Sequence, residues 1–178
     1  IRVLPSGETA TVKDILLYKT ELDKAVTDQT ITLTLNTEIS ISRGDTIVET
    51  DKPCEVSDQF SVSTVWMDQK PGFIGRTYWL MMGPVRVNAV ITAIKHKVDI
   101  DSFEKLSANE LTQNDIGELT LSLDQAIAFE PYSQCKALGS FVLLDHYTNA
   151  TVAAGIINFS LHRAANVHRQ ALVVKQEA

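Results

Sequence analysis

The stretch Phe141–Ile157, FVLLDHYTNATVAAGII, decides the fold. Its two ends, Phe141–Asp145 and Thr151–Ile157, are apolar and β-branched runs bounded by Asp and Asn, which reads as strand, turn, strand. The same signature recurs upstream at Phe60–Trp66, Thr77–Met82 and Val85–Ile94. Strict alternation at Ile31, Leu33 and Leu35, at Ile39 and Ile41, and at Leu119, Leu121 and Leu123 predicts further, half-buried strands. Turn residues separate them: Pro5-Ser6-Gly7, Arg43-Gly44-Asp45, Lys70-Pro71-Gly72, Gly83-Pro84, Asn114-Asp115-Ile116-Gly117 and Leu138-Gly139. Many short strands with regular turns predict an all-β barrel or sandwich. Only Ser102–Leu111 and Leu161–Ala178 are helix candidates, and the first has no convincing i, i+3, i+4 apolar face.

The alternation breaks between Glu49 and Asp58, where Asp51-Lys52-Pro53 and the polar Glu55–Asp58 precede the next strand. Two β units are expected, residues 1–50 and 59–158, with 159–178 as a C-terminal connector. The first has too few strands to close a barrel and should present unpaired edges, which favour pairing with another chain. Ile1 stands where a Met would begin a protein, so a start inside a longer chain is expected.

The 178 residues suffice to bury roughly 70% of the unfolded surface. With 44% hydrophobic and 21% charged residues the composition is that of a folded, soluble protein. Apolar runs such as Val152–Ile157 fall far short of the ~20 residues needed to cross a bilayer, so no membrane role is expected. A net charge of −6 without a Lys/Arg cluster argues against general nucleic-acid binding. Cys54 and Cys135 lie far apart in sequence and outside any CxxC pattern, which favours a reducing cytoplasm while leaving a pairing open.

Single residues offer chemistry only in fragments. His96, between Lys95 and Lys97, reads as a surface histidine in a solvated basic turn, because proton transfer needs a second positioned group. His146, His162 and His168 lack the spacing of a zinc site. Asp99 and Asp101 flank Ile100 without the further oxygens, central Gly and terminal Glu of a calcium loop. Ser140 lacks a GxSxG context. The acceptor patterns at Asn149 and Asn158 matter only in a secreted protein. Gly44, Gly75, Gly117 and Gly155 read as turn or bulge positions, and Trp66 and Trp79 as core of the longer unit, or as a rim anchor for a partner. The tail His162–Lys175 is basic, and reads equally as a connector or as a docking segment. No position is assigned a catalytic, cofactor-binding or metal-ligating role.

Longer words in the sequence carry a resemblance. LPSG at Leu4, TVKDI at Thr11, TITLTLN at Thr30 and EISISRGD at Glu38 resemble the second half of the second domain of elongation factor Tu-like GTPases. FSVSTVWMD, GRTY, IKH, NDIG, GSFVLLD and TNATVAAG, between Phe60 and Gly155, resemble the third domain. VWM, IKHKVDI, IAFEPY, FVLLDHYTNATVAAG and RAANVHRQ are similar to the GTPase subunit of bacterial sulfate adenylyltransferase rather than to a translation factor. The resemblance implies two translation-factor-type β-barrels, the first incomplete, following a GTPase domain. It also implies a separate adenylyltransferase subunit as partner, and the ending RAANVHRQALVVKQEA resembles the lead into a fused adenylylsulfate kinase domain. The implied parent reaction turns ATP and sulfate into adenylylsulfate and pyrophosphate, driven by GTP hydrolysis. No GxxxxGK[ST] loop occurs, so the chain alone is expected to be inactive, with GTP and Mg²⁺ belonging to the GTPase domain. The expected role is a non-catalytic scaffold that couples the GTPase to the adenylyltransferase. The competing readings are an elongation-factor fragment contacting aminoacyl-tRNA and a stand-alone β adaptor.

Overall fold

The computed structural model describes residues 1–161; Phe159 and Ser160, expected to open the connector, end a strand instead, and the rest of the connector and of the tail helix candidate beyond Leu161, with His162, His168 and the basic tail, lies outside the described residues. The first unit holds five short strands, β1 (Arg2–Leu4), β2 (Val12–Leu17), β3 (Thr20–Leu22), β4 (Thr32–Leu35) and β5 (Thr46–Val48). β1 pairs with β5, and β2 sits between β3 and β4. Val3 and Leu4 are its buried anchors.

Ile39 and Ile41, expected to lie on a strand, occupy irregular backbone instead. The Ser40 N–H donates to the Glu8 carboxylate at 3.1 Å, so its hydrogen bond goes to a side chain rather than to a ladder. The Ser102–Leu111 helix candidate is also absent. That segment forms a turn and two short strands, β10 (Lys105–Leu106) and β11 (Glu110–Leu111), which pair with β9 (Val85–Val98) and β7 (Gly72–Phe73) respectively.

The second unit contains β6 (Glu55–Trp66), β7 (Gly72–Phe73), β8 (Thr77–Met82), β9 (Val85–Val98), β12 (Ile116–Phe129), the short helix α1 (Lys136–Gly139), β13 (Ser140–Asp145) and β14 (Thr151–Ser160). Six strands run β9-β12-β6-β14-β13-β8, and pairing of β8 with β9 closes them into an antiparallel barrel. Closure removes the exposed edges of an open sheet.

Several strands extend beyond their expected ends. Glu55–Asp58, read as an interruption, begins β6, because its backbone pairs with Ile127–Phe129 of β12. Buried positions recur at every second residue and are almost all apolar: Phe60, Val62 and Trp66 on β6, where the buried Thr64 fills the series, Leu119, Leu121 and Leu123 on β12, Tyr78, Leu80 and Met82 on β8. Phe60 meets Phe129 edge-on at 4.8 Å, and Trp66 meets Tyr78 edge-on at 5.6 Å. The Trp66 indole N–H donates to the Lys70 carbonyl at 2.8 Å, which satisfies the one polar atom of this buried ring.

Gly44 and Gly75 take positive φ, +106° and +86°, as turn residues do. Gly117 and Gly155 do not, and their reason is space. A Cβ on Gly155 would sit 2.6 Å from the Phe141 ring and 2.9 Å from the Ser63 carbonyl. Gly155→Ala is therefore expected to cost about 1–3 kcal/mol, read by urea denaturation at unchanged m-value.

Candidate functional site

Three polar clusters decorate the outer wall of the barrel, and each is built from strands distant in sequence. The first centres on Glu118 of β12. The registers of β9 and β12 shift between His96 and Ile94, leaving Lys95 as the extra residue of a bulge. Bulges re-aim side chains, and here Lys95 and His96 both turn toward Glu118. The Lys95 ammonium donates to Glu118 at 2.7 Å and to Ser61 Oγ at 2.9 Å, while the Ser61 hydroxyl donates to the same carboxylate at 2.9 Å.

The hydrogen bond from Lys95 is the main reason the Glu118 carboxyl is held below its ordinary value. Beside it, Lys97 pairs with Asp115 at 3.4 Å. Burial alone would raise the Asp115 carboxyl, but donors from Thr112 and Lys97 together lower it. His96 is therefore not in a solvated turn. It lies within β9, its side chain 16% exposed and its Nε2 3.7 Å from Glu118. That exceeds hydrogen-bond reach, so no proton relay is set up. Ser61 is fully buried beneath Lys95 and Glu118, and its hydroxyl has no path to a substrate.

The second cluster ties the GRTY segment to the β13–β14 hairpin. Asp145, at the end of β13, accepts from the backbone N–H of Tyr147 at 3.1 Å and of Thr148 at 2.9 Å, from the Thr148 hydroxyl at 3.0 Å, and from Arg76 at 2.6 Å. These donors, the Thr148 N–H first, pull its pKa down to about 2. The third cluster surrounds Trp79, which lies on the outside of β8 rather than in the core. His146 stacks on it at 4.2 Å and the Arg86 guanidinium lies 4.3 Å from its ring centre. Asn88 fixes His146 across a 2.7 Å contact and itself donates to Asp124 at 2.6 Å.

The remaining candidates stay apart. Asp99 takes hydrogen bonds from Ser102 and Asp101 at a strand-to-loop corner, which lowers its carboxyl pKa, the Ser102 N–H contributing most. The Ser140 hydroxyl donates to the Lys136 carbonyl. Asn149 accepts from Arg86, and the Asn158 amide donates to Ser63. Cys54 and Cys135 are free thiols, and burial, reinforced by Glu130, pushes the Cys54 thiol up. Among the described residues no three His, Cys, Asp or Glu side chains are placed to hold a metal, and no helix is long and apolar enough to cross a membrane. The Asp145 and Trp79 clusters had no local signal in the sequence, since Arg76 and Asp145 meet across 69 positions.

Comparison with known proteins places this geometry. Residues 59–158 match the family model described as GTP-eEF1A C-terminal domain-like. Over 99% of its length the chain is 45% identical to the bifunctional enzyme CysN/CysC of Xylella fastidiosa, of which it covers 28%. It is 42% identical over 88% of its length to sulfate adenylyltransferase subunit 1 of Aliarcobacter butzleri, covering 34% of that protein. The chain thus spans about a third of the length of these relatives. A crystal structure of sup35 complexed with GDP shares the fold, with a TM-score of 0.80 over 90% of this chain and 40% of that one, at 18% identity.

Proposed function

We propose a function from the premise that this chain belongs to the GTP-eEF1A C-terminal domain-like family: it is the scaffold of a sulfate adenylyltransferase GTPase subunit. In this role the chain carries no chemistry of its own. It holds a GTPase domain against the subunit that forms adenylylsulfate and pyrophosphate from ATP and sulfate, and passes the GTP state on through domain contacts. The observation that carries the reading is the 45% identity to a CysN/CysC enzyme across 176 residues, including the first unit, which lies outside the family model.

The chemistry of the wall agrees with it. The Glu118, Asp115 and Asp145 carboxylates are each engaged by cations or backbone donors, which suits a rigid body more than a reacting centre. Rigid-body movement of domains is an established mode of switching. The chain has no phosphate-cradling loop, so GTP and Mg²⁺ are assigned to the GTPase domain of the whole protein. The bifunctional relatives support a further fused domain, which we assign as an adenylylsulfate kinase.

Titration of the chain against the purified adenylyltransferase subunit, with bulk tRNA as a low-salt control, tests this. Saturable binding to the subunit and none to tRNA is the expected result. Binding to tRNA alone would overturn it in favour of a translation factor.

A further inference from the structure

The outer wall of the barrel carries a row of residues that its solvent-facing position does not explain. In the strand registers, Ile116 of β12 stands opposite Val65 of β6, Val65 opposite Ala154 of β14, Ala154 opposite Val142 of β13, and Val142 opposite Met81 of β8. Directly paired residues of antiparallel strands share a face. Five apolar side chains therefore line up across five neighbouring strands, on the side away from the core. The water-facing side of an antiparallel sheet ordinarily bears polar residues. Other outward positions of the same two strands obey that rule: Ser61 and Ser63 on β6, Glu118, Thr120 and Ser122 on β12.

Where the row crosses β12, β6 and β14 it floors a groove of about 450 Å³, walled by Tyr132 and Lys136 from the segment around α1. Val65 and Ile116 remain 40% and 36% exposed there. Lys95 and Lys97, on the same wall, are matched to carboxylates. Lys136 forms no ion pair among the described residues. An unmatched cation beside an apolar floor, in a chain of net charge −6, complements an apolar segment that brings its own carboxylate. The floor strand β6 is already paired on both sides, by β12 and β14, so the occupant attaches by side chains and not as an added strand.

We propose that this groove receives an apolar segment of the adenylyltransferase subunit, with a carboxylate of that segment meeting Lys136. The proposal rests on the scaffold reading above. Its test titrates the full-length GTPase subunit against the adenylyltransferase subunit, using Val65→Asp, Ile116→Asp and Lys136→Glu, with Phe103→Asp as an exposed apolar control outside the groove.

The expected result is a roughly tenfold or greater loss of affinity for the two aspartate variants and a loss of about fivefold for Lys136→Glu, with the control unchanged. Lys136 is exposed, so its variant keeps the test sound should a strand variant fold poorly. Wild-type binding with no effect of Lys136→Glu or of the folded aspartate variants overturns the groove assignment and leaves the scaffold reading standing. No binding by the wild type removes both. Dimerisation of the wild type that Val65→Asp abolishes, without loss of subunit binding, overturns the assignment in favour of a second copy.

Discussion

Gly139→Ala is expected to lower the unfolding free energy by about 3 kcal/mol or more. A Cβ at Gly139 would lie 2.5 Å from both the N and Cα of Tyr132 and 2.7 Å from the Glu130 carbonyl. These are backbone atoms, so no rotamer change relieves the clash. The loop cannot retreat cheaply, because the Tyr132 N–H donates to the Ile157 carbonyl and the Glu130 N–H to the Leu138 carbonyl. Moving Pro131–Tyr132 would break the bond that seats this segment on β14 and the one that ties it to α1. Urea denaturation should show a lowered midpoint, and hydrogen exchange should show lost protection at Tyr132. A midpoint within experimental error of wild type would sink the argument.

Asp145→Asn should cost roughly 2 kcal/mol at neutral pH, and that cost should vanish in acid. The carboxyl falls from an ordinary 3.8 to about 2 in the folded protein, which corresponds to roughly 2 kcal/mol of stabilisation by the charged form. Because the folded value is the lower one, the contribution is complete above the unfolded pKa. It drains away as pH falls through about 4 toward about 2. Wild type and variant should therefore differ most above pH 5 and converge near pH 2 in thermal melts. A constant difference across that range would show that Asn loses shape rather than charge. Arg76→Met should reproduce only a minor part of the effect, since it removes the 2.6 Å ion pair but leaves in place the turn donors that lower the carboxyl most.

The sequence was most legible where physics is local. Alternation at Leu119, Leu121 and Leu123 marks an inward face whatever the partner strand, and the Gly83-Pro84 turn stops one strand and starts the next. Glu55–Asp58 misled because three polar side chains out of four say nothing about backbone pairing, and the partners of Glu55, Val56 and Ser57 stand in Ile127–Phe129. Ile39 and Ile41 misled for the opposite reason: the alternation is real, but Glu8 captures the Ser40 N–H. His96 was read as solvated because its neighbours are lysines, whereas a bulge at Lys95 carries the pair onto Glu118, a residue twenty-two positions on. From the sequence alone Trp79 reads either as core or as a rim anchor. Only the parity of β8 shows that Tyr78 and Leu80 take the interior and leave Trp79 to stack with His146 and Arg86.

The closure of the barrel also sets an order of events during synthesis. β6 is the second-unit strand made first, yet one of its two neighbours, β14, is made last. Loop closure over so long a separation is intrinsically slow. At ribosomal rates of about 5–20 residues per second, the β6 edge waits on the order of 10 seconds for its final partner. Until then Val62 and Trp66 have no lid, and the strand is a template for any passing chain. The polar Ser61, Ser63 and Thr64, interleaved along that strand, keep it from being a continuous apolar ribbon while it waits.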